Sequence, residues 1–144
     1  MMKLALGSTE LQVSSLGLGC NNFGGRPDPE KTRLVVDAAI AAGITFIDTA
    51  DAYGNRGGSE RLLGETLGNR RKDVVLATKF GLPMDEAGRL KGASRAYVMT
   101  AVEESLKRLA CRGRQCCLNY RTTARPSGSS IITLPCWPGS LEGA

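Results

Sequence analysis

Apolar positions along the chain fall into short runs and helical stripes that alternate from the N-terminus to Leu109. Residues 4–13 read as a short hairpin turning at Gly7-Ser8-Thr9-Glu10, and Ser15-Leu16-Gly17-Leu18-Gly19 as a strand of small residues. Asp28 is placed to cap a helix, with Pro29 at its first position, where a missing N–H costs nothing. Leu34, Val35, Ala38, Ala39 and Ala42 recur as one helical face, and Gly43 stops it. Ile44-Thr45-Phe46-Ile47-Asp48 is the next strand. Ser59 is expected to cap a second helix, with Glu60 in its first turn, where the helix dipole favours a carboxylate. Leu62, Leu63, Thr66 and Leu67 line that helix, and Gly68 ends it. Val74-Val75-Leu76-Ala77-Thr78 is an unbroken apolar run, which suits a strand covered on both faces of a parallel sheet. Ser94 caps a third helix with Val98, Ala101, Val102, Leu106 and Leu109 inward. On its outer side Glu103 with Lys107, and Glu104 with Arg108, are i,i+4 pairs worth roughly 0.2–0.5 kcal/mol each.

Strand followed by helix, three times over, is the pattern of a parallel α/β sheet with right-handed crossovers. The chain has 144 residues, enough for one domain and too few for a complete (β/α)8 barrel, which takes about 250. After Leu109 the sequence changes character. Lysine disappears, and Arg, Cys, Ser, Pro and Gly dominate. The only apolar run there is Ile131-Ile132-Thr133-Leu134, cut short by Pro135. The expectation is therefore a hairpin and three βα units over residues 1–109. Residues 110–144 are expected to form a divergent, poorly ordered tail, with no periodic apolar face to offset the entropy of ordering. So abrupt a change is also what out-of-frame translation of a GC-rich coding region would give, a divergent or spliced end being the alternative.

Composition is that of a globular protein, 42% hydrophobic and 23% charged, and the net charge of +5 is too mild to name a partner. Residues 1–110 carry 15 Lys and Arg against 13 Asp and Glu. Beyond them stand Arg112, Arg114, Arg121 and Arg125 against Glu142 alone. With Tyr120 the single aromatic interleaved among these arginines, nucleic-acid binding is not expected. No apolar run reaches the roughly 18 residues of a membrane span, and the first residues lack a secretory core of roughly 7–15. A cytoplasmic protein without a membrane partner is expected. Five cysteines include no Cys-x-x-Cys pair, and the chain has no histidine, so a metal site is not expected. Gly17-Leu18-Gly19 lacks the third glycine and the immediate helix of a dinucleotide fingerprint. Gly24-Gly25 and Gly57-Gly58 read as turns.

The candidate chemistry sits at strand ends. Asp48 closes one strand and Lys79 the next, at the carboxyl ends where α/β proteins build their sites. Alternation puts Phe46 with Asp48 on one face, and Val75 and Ala77 with Lys79. An ammonium at the top of an apolar column needs a partner, and Asp48 is the nearest candidate. Tyr53 follows Asp48 by five residues, so a loop can fold it over the same mouth. A phenol beside an ammonium is a proton donor suited to a carbonyl, because the positive charge stabilises the phenolate left behind. Each residue alone has a plainer role, Asp as a cap and Tyr as packing. The three together at adjoining strand ends favour chemistry.

The stretch Ile44-Thr45-Phe46-Ile47-Asp48-Thr49-Ala50-Asp51-Ala52-Tyr53-Gly54, followed by Ser59-Glu60-Arg61-Leu62-Leu63-Gly64, resembles the aldo-keto reductase signature. Leu16-Gly17-Leu18-Gly19-Cys20 resembles that family's first strand, and Val74-Val75-Leu76-Ala77-Thr78-Lys79-Phe80-Gly81 its third, which carries the active-site lysine. Gly92-Ala93-Ser94-Arg95 and Val102-Glu103-Glu104-Ser105-Leu106-Lys107-Arg108-Leu109 resemble the helix that follows. The motifs occur in order over residues 3–109.

The resemblance implies part of a (β/α)8 TIM barrel and an NADP-dependent reductase acting on a small aldehyde or ketone. It makes Tyr53 the general acid, Lys79 the group that tunes it and Asp48 the partner of Lys79. It places Cys20, Asn21 and Asp48 at the nicotinamide end of NADP. The family's fourth catalytic member is a histidine at the end of a fourth strand, and neither that strand nor any histidine is legible after Leu109. The expectation is a reductase by lineage whose chain is incomplete and inactive, the alternative being a non-catalytic binding or regulatory protein built on the same frame.

Overall fold

A computed structural model of the chain describes residues 1–7, 9–26 and 28–111, and the backbone of Cys116–Tyr120. Strands β1 (Lys3–Ala5) and β2 (Gln12–Ser14) form the expected antiparallel hairpin, with Leu4 opposite Val13. Strands β3 (Gly17–Gly19), β4 (Phe46–Asp48), β5 (Val75–Phe80) and β6 (Cys116–Tyr120) form a parallel sheet in that order. Its register sets Gly19 beside Asp48 and Asp48 beside Ala77.

Strand β6 corrects the sequence reading, which saw no strand after Leu109. It pairs with β5 from Leu76 opposite Cys116 to Phe80 opposite Tyr120. Cys-Cys-Leu-Asn-Tyr lacks the β-branched run that marks a buried strand, and its pairing beside β5 is a tertiary choice. The run at 131–134, the tail arginines and the expected poor order of the remaining tail lie outside the described residues.

Among the described residues, three helices cover one face of the sheet. Helix α1 (Pro29–Ala41) starts as its sequence dictates, the Asp28 carboxylate accepting from the Lys31 amide at 2.8 Å. Its buried face is Thr32, Val36 and Ala39, while Leu34 and Val35 are 55% and 44% exposed. The helix is thus turned about one residue from the expected stripe, because Thr32 and Val36 reach the core and the bulkier Leu34 does not. Helix α2 (Tyr53–Leu67) begins in a left-handed stretch over residues 54–57 and ends at Gly68, where a short 3-10 turn (Gly68–Asp73) leads to β5. Helix α3 (Arg95–Arg108) is capped by Ser94, which accepts from the Tyr97 amide. It buries Tyr97, Ala101 and Ser105, again a stripe rotated from the expected one. Its ion pairs also differ from expectation: Lys107 pairs with Glu104 one turn earlier, and Arg108 turns inward to Glu60 on α2. Among the described residues no helix is long and apolar enough to cross a membrane.

Alternation along the strands divides the core in two. Ile47, Val74 and Leu76 face the helices and pack with Val36, Leu63 and Leu67. Burial of each such side chain stabilises the fold by about 1.5–3 kcal/mol. Phe46, Val75 and Ala77 face the other way and pack against Val13, Leu6 and Leu11 of the hairpin region. Ser14 fixes the hairpin there. Its hydroxyl accepts from the Thr45 and Phe46 amides at 2.9 and 3.3 Å, at the amino end of β4. The hairpin therefore closes one end of the inner face, and the carboxyl ends of the strands stand at the other. Gly64 lets α3 approach α2 closely, since a methyl there would lie 2.5 Å from the Arg108 carbonyl oxygen.

Candidate active site

The chain leaving β4 keeps following β5. The Thr49 amide donates to the Ala77 carbonyl at 2.8 Å, and the Asp51 amide to the Lys79 carbonyl at 2.9 Å. This fixes Asp48 opposite the side chain of Lys79. The ammonium lies 2.6 Å from each carboxylate oxygen of Asp48 and 2.8 Å from the Thr49 carbonyl. Lys79 keeps 18% of its side chain exposed and Asp48 38%, so the pair stands at the rim and not in the core. The Tyr53 amide then donates to the Ala50 carbonyl at 3.1 Å, a turn that brings the phenol ring back. Lys79 Nζ is 5.4 Å from the ring centroid, within the range of attraction between a cation and an aromatic face. Asp48, Lys79 and Tyr53 thus meet at one mouth.

The two further positions implied by the resemblance separate. Asn21 is exposed just beyond β3, at the same end of the sheet. Cys20 follows β3 directly, and its side chain is fully buried in the helix-side core. Burial, with the Asp48 charge adding to it, pushes that thiol up to about 12. Its backbone is engaged as well, the amide donating to the Asp48 carbonyl at 2.8 Å and the carbonyl accepting from Ser59 Oγ at 2.9 Å. Ser59 therefore braces β3 instead of capping α2, and its hydroxyl also meets Thr49 Oγ1 at 2.8 Å.

Behind the mouth lies a buried polar group that the sequence reading missed. Glu60, expected in a first turn beside the helix dipole, has no exposed surface. Its Oε1 accepts from Thr78 Oγ1 at 2.5 Å and its Oε2 from Arg108 Nε at 2.6 Å. Asp51 is 2% exposed, and its Oδ2 has no hydrogen-bond partner among the described residues. Burial pushes its carboxyl up to about 7, the Glu60 charge adding to the rise and Arg108 opposing it. The Tyr97 hydroxyl, also buried and without a hydrogen-bond partner among the described residues, is pushed up to about 12 by burial and then by Asp51. A signal was available. Glu60, Leu63 and Leu67 share a helical stripe, and Ile47, Thr49 and Asp51 alternate to the helix side. Among the described residues no group of three or more acidic, cysteine or histidine side chains could hold a metal ion.

The profile of the aldo/keto reductase family matches residues 15–112. The uncharacterized oxidoreductase YqkF of Bacillus subtilis is 41% identical over 111 residues, covering 76% of this chain and 35% of that protein. YrpG, an uncharacterized oxidoreductase of the same organism, is 40% identical over 114 residues, covering 72% of this chain and 35% of that protein. The solved holo form of aldo-keto reductase AKR11C1 from Bacillus halodurans superposes with a TM-score of 0.67 at 42% identity, over 76% of this chain and 37% of that one. The chain thus spans about a third of the length of these relatives.

Proposed function

The chain belongs to the aldo/keto reductase family, with a partial barrel of the (β/α)8 type and an oxidoreductase lineage, and from that premise we propose that its site is built to reduce a small aldehyde or ketone to an alcohol. Tyr53 is the proton donor in this reading. The observation that carries it is the Lys79 ammonium, held by Asp48 and standing 5.4 Å from the Tyr53 ring. A positive charge fixed there stabilises the phenolate that remains once the carbonyl oxygen has taken the proton. Asp48 keeps the ammonium from turning to solvent.

NADPH, when bound, supplies the hydride. The exposed part of Asp48 and the exposed Asn21, both at the carboxyl ends, suit the nicotinamide end of that cofactor. The buried thiol of Cys20 does not. A cytoplasmic location goes with this reading.

The chain has no histidine to help orient and polarise the carbonyl. Positioning contributes about 7–11 kcal/mol of barrier lowering in a complete site. We therefore propose that this chain alone does not turn over, and the missing histidine equally favours a second reading, a non-catalytic protein that binds cofactor. NADPH consumption with a reactive aromatic aldehyde tests the first, with Tyr53→Phe as control. Turnover near 10 per second, of the order of a typical enzyme, and lost in the control, would overturn the proposal of inactivity. Quenching of NADPH fluorescence without turnover supports the binding reading, and absence of both removes it.

A further inference from the structure

The ion pair between Glu60 and Arg108 takes no part in the reading above, yet it is the most enclosed in the described structure. Glu60 is wholly buried, and only 13% of the Arg108 side chain is exposed. Arg108 also donates from Nη2 to Ser105 Oγ at 3.2 Å. Taking two opposite charges out of water is repaid only by good geometry, and well-packed apolar side chains of similar volume stabilise a fold as well or better. Stability therefore gives little reason for this pair, and its location gives a better one.

The residues that follow Tyr53 come down on Arg108. Gly54, Asn55, Arg56 and Gly57 all hold positive φ, of 63°, 60°, 63° and 97°. For Asn55 and Arg56 this conformation is strained, and such strain persists only where the surroundings over-determine it. Gly57 rests against the arginine stem: a methyl there would lie 2.5 Å from Arg108 Cδ and 2.8 Å from Nε. At the other side of the turn Ser59 is tied to Cys20 and Thr49. Glu60, through Thr78, joins Arg108 to the residue immediately before Lys79.

We propose that Arg108, held in place by Glu60, is a positioning residue for Tyr53, the fixed post against which the left-handed turn 54–57 closes. Helix α3 thereby sets the distance between the Tyr53 ring and the Lys79 ammonium. The inference rests on reading Tyr53 and Lys79 as a working pair, and it is tested by the placement of the ring, without turnover.

The whole chain is labelled with ring-13C tyrosine. It has three tyrosines, and Tyr53→Phe identifies the signal of interest. Removing the ammonium with Lys79→Met shifts the Tyr53 resonance, and the size of that shift reports their proximity. In a chain carrying Glu60→Gln with Arg108→Met, the expected shift is at least about twofold smaller, with Tyr53 drifting from its post. Arg108→Lys keeps the pair and is expected to keep the shift. Arg108→Gln shortens the stem that Gly57 rests against, keeps a donor for Glu60 and leaves the sequence of the turn intact, and is expected to reduce the shift as well. Should the double variant not fold, Arg108→Gln decides. A shift of parental size in either folded variant, whatever its loss of stability, would show the pair to be merely structural and overturn the proposal. Absence of any shift from Lys79→Met in the parent chain would instead overturn the pairing of Tyr53 with Lys79, and this inference with it.

Discussion

Lys79 reaches both carboxylate oxygens of Asp48 at 2.6 Å and the Thr49 carbonyl at 2.8 Å, as many acceptors as an ammonium has protons. Its action on Tyr53 across 5.4 Å is that of a fixed charge facing a ring. The strand register, which sets Asp48 beside Ala77 and so below Lys79, makes this arrangement a property of the sheet rather than of a mobile loop.

Loss of that charge should be felt in stability. Lys79→Met leaves the Asp48 carboxylate partly buried without its partner. Full burial would make the cost about 3–5 kcal/mol, and full exposure would make it about 0–1. For this rim site the expected loss is about 1–3 kcal/mol in urea unfolding, largely recovered when Asp48→Asn is added. A single-variant loss below about 0.5 kcal/mol would show the pair to be screened by water.

Cys20 should be inert. Its thiol is fully buried and is pushed up to about 12, so almost no thiolate forms near neutral pH. Native protein treated with a maleimide at pH 7.5 and mapped by peptide mass should leave Cys20 unmodified, while protein in urea labels it. Labelling of Cys20 in the native state at the rate of a free thiol would contradict its placement.

The legible parts of the fold were those fixed locally. Asp28 with Pro29, and Ser94, announce their helices because a cap needs only neighbouring amides. Asp48 and Lys79 were legible because alternation and strand ends place them without knowledge of the rest. What stayed hidden depends on packing. The phase of α1 could not be read from Leu34 and Val35, whose exposure follows from where the sheet lies. Strand β6 exists through its pairing with β5. Gly57-Gly58 reads as a simple turn, and the rest of Gly57 on Arg108 joins residues about fifty positions apart.

Gly64→Ala should weaken the contact of α2 with α3. The added methyl would lie 2.5 Å from the Arg108 carbonyl oxygen and 3.0 Å from the Leu109 carbonyl carbon, both backbone atoms that cannot swing aside. The helices must separate slightly, and overpacking of this kind costs about 1–3 kcal/mol. Thermal unfolding should show the loss. A variant as stable as the parent, or more so through the helix propensity of alanine, would mean that α3 yields at this point.

Asp51 should give the fold a pH dependence opposite in sign to that of a salt-bridged carboxylate. Its folded value of about 7 stands above the ordinary 3.8, so the native state holds a proton that the unfolded chain releases. Its contribution is therefore fully favourable below about pH 4, is lost as pH rises toward 7, and is constant above. A rise of about three pH units corresponds to at most about 4 kcal/mol. Glu60 and Arg108 from α2 and α3 face this carboxyl with opposite signs, and Tyr97 stays protonated throughout the interval. Asp51→Asn replaces the protonated acid with a neutral group of the same shape. It should be near parental stability at pH 4 and more stable than the parent at pH 8, the difference growing with pH. Urea midpoints for the two chains across that range measure it directly. A difference that does not change between pH 4 and 8, or that reverses, would mean Asp51 is ionised in the folded protein with a partner or water at its buried oxygen.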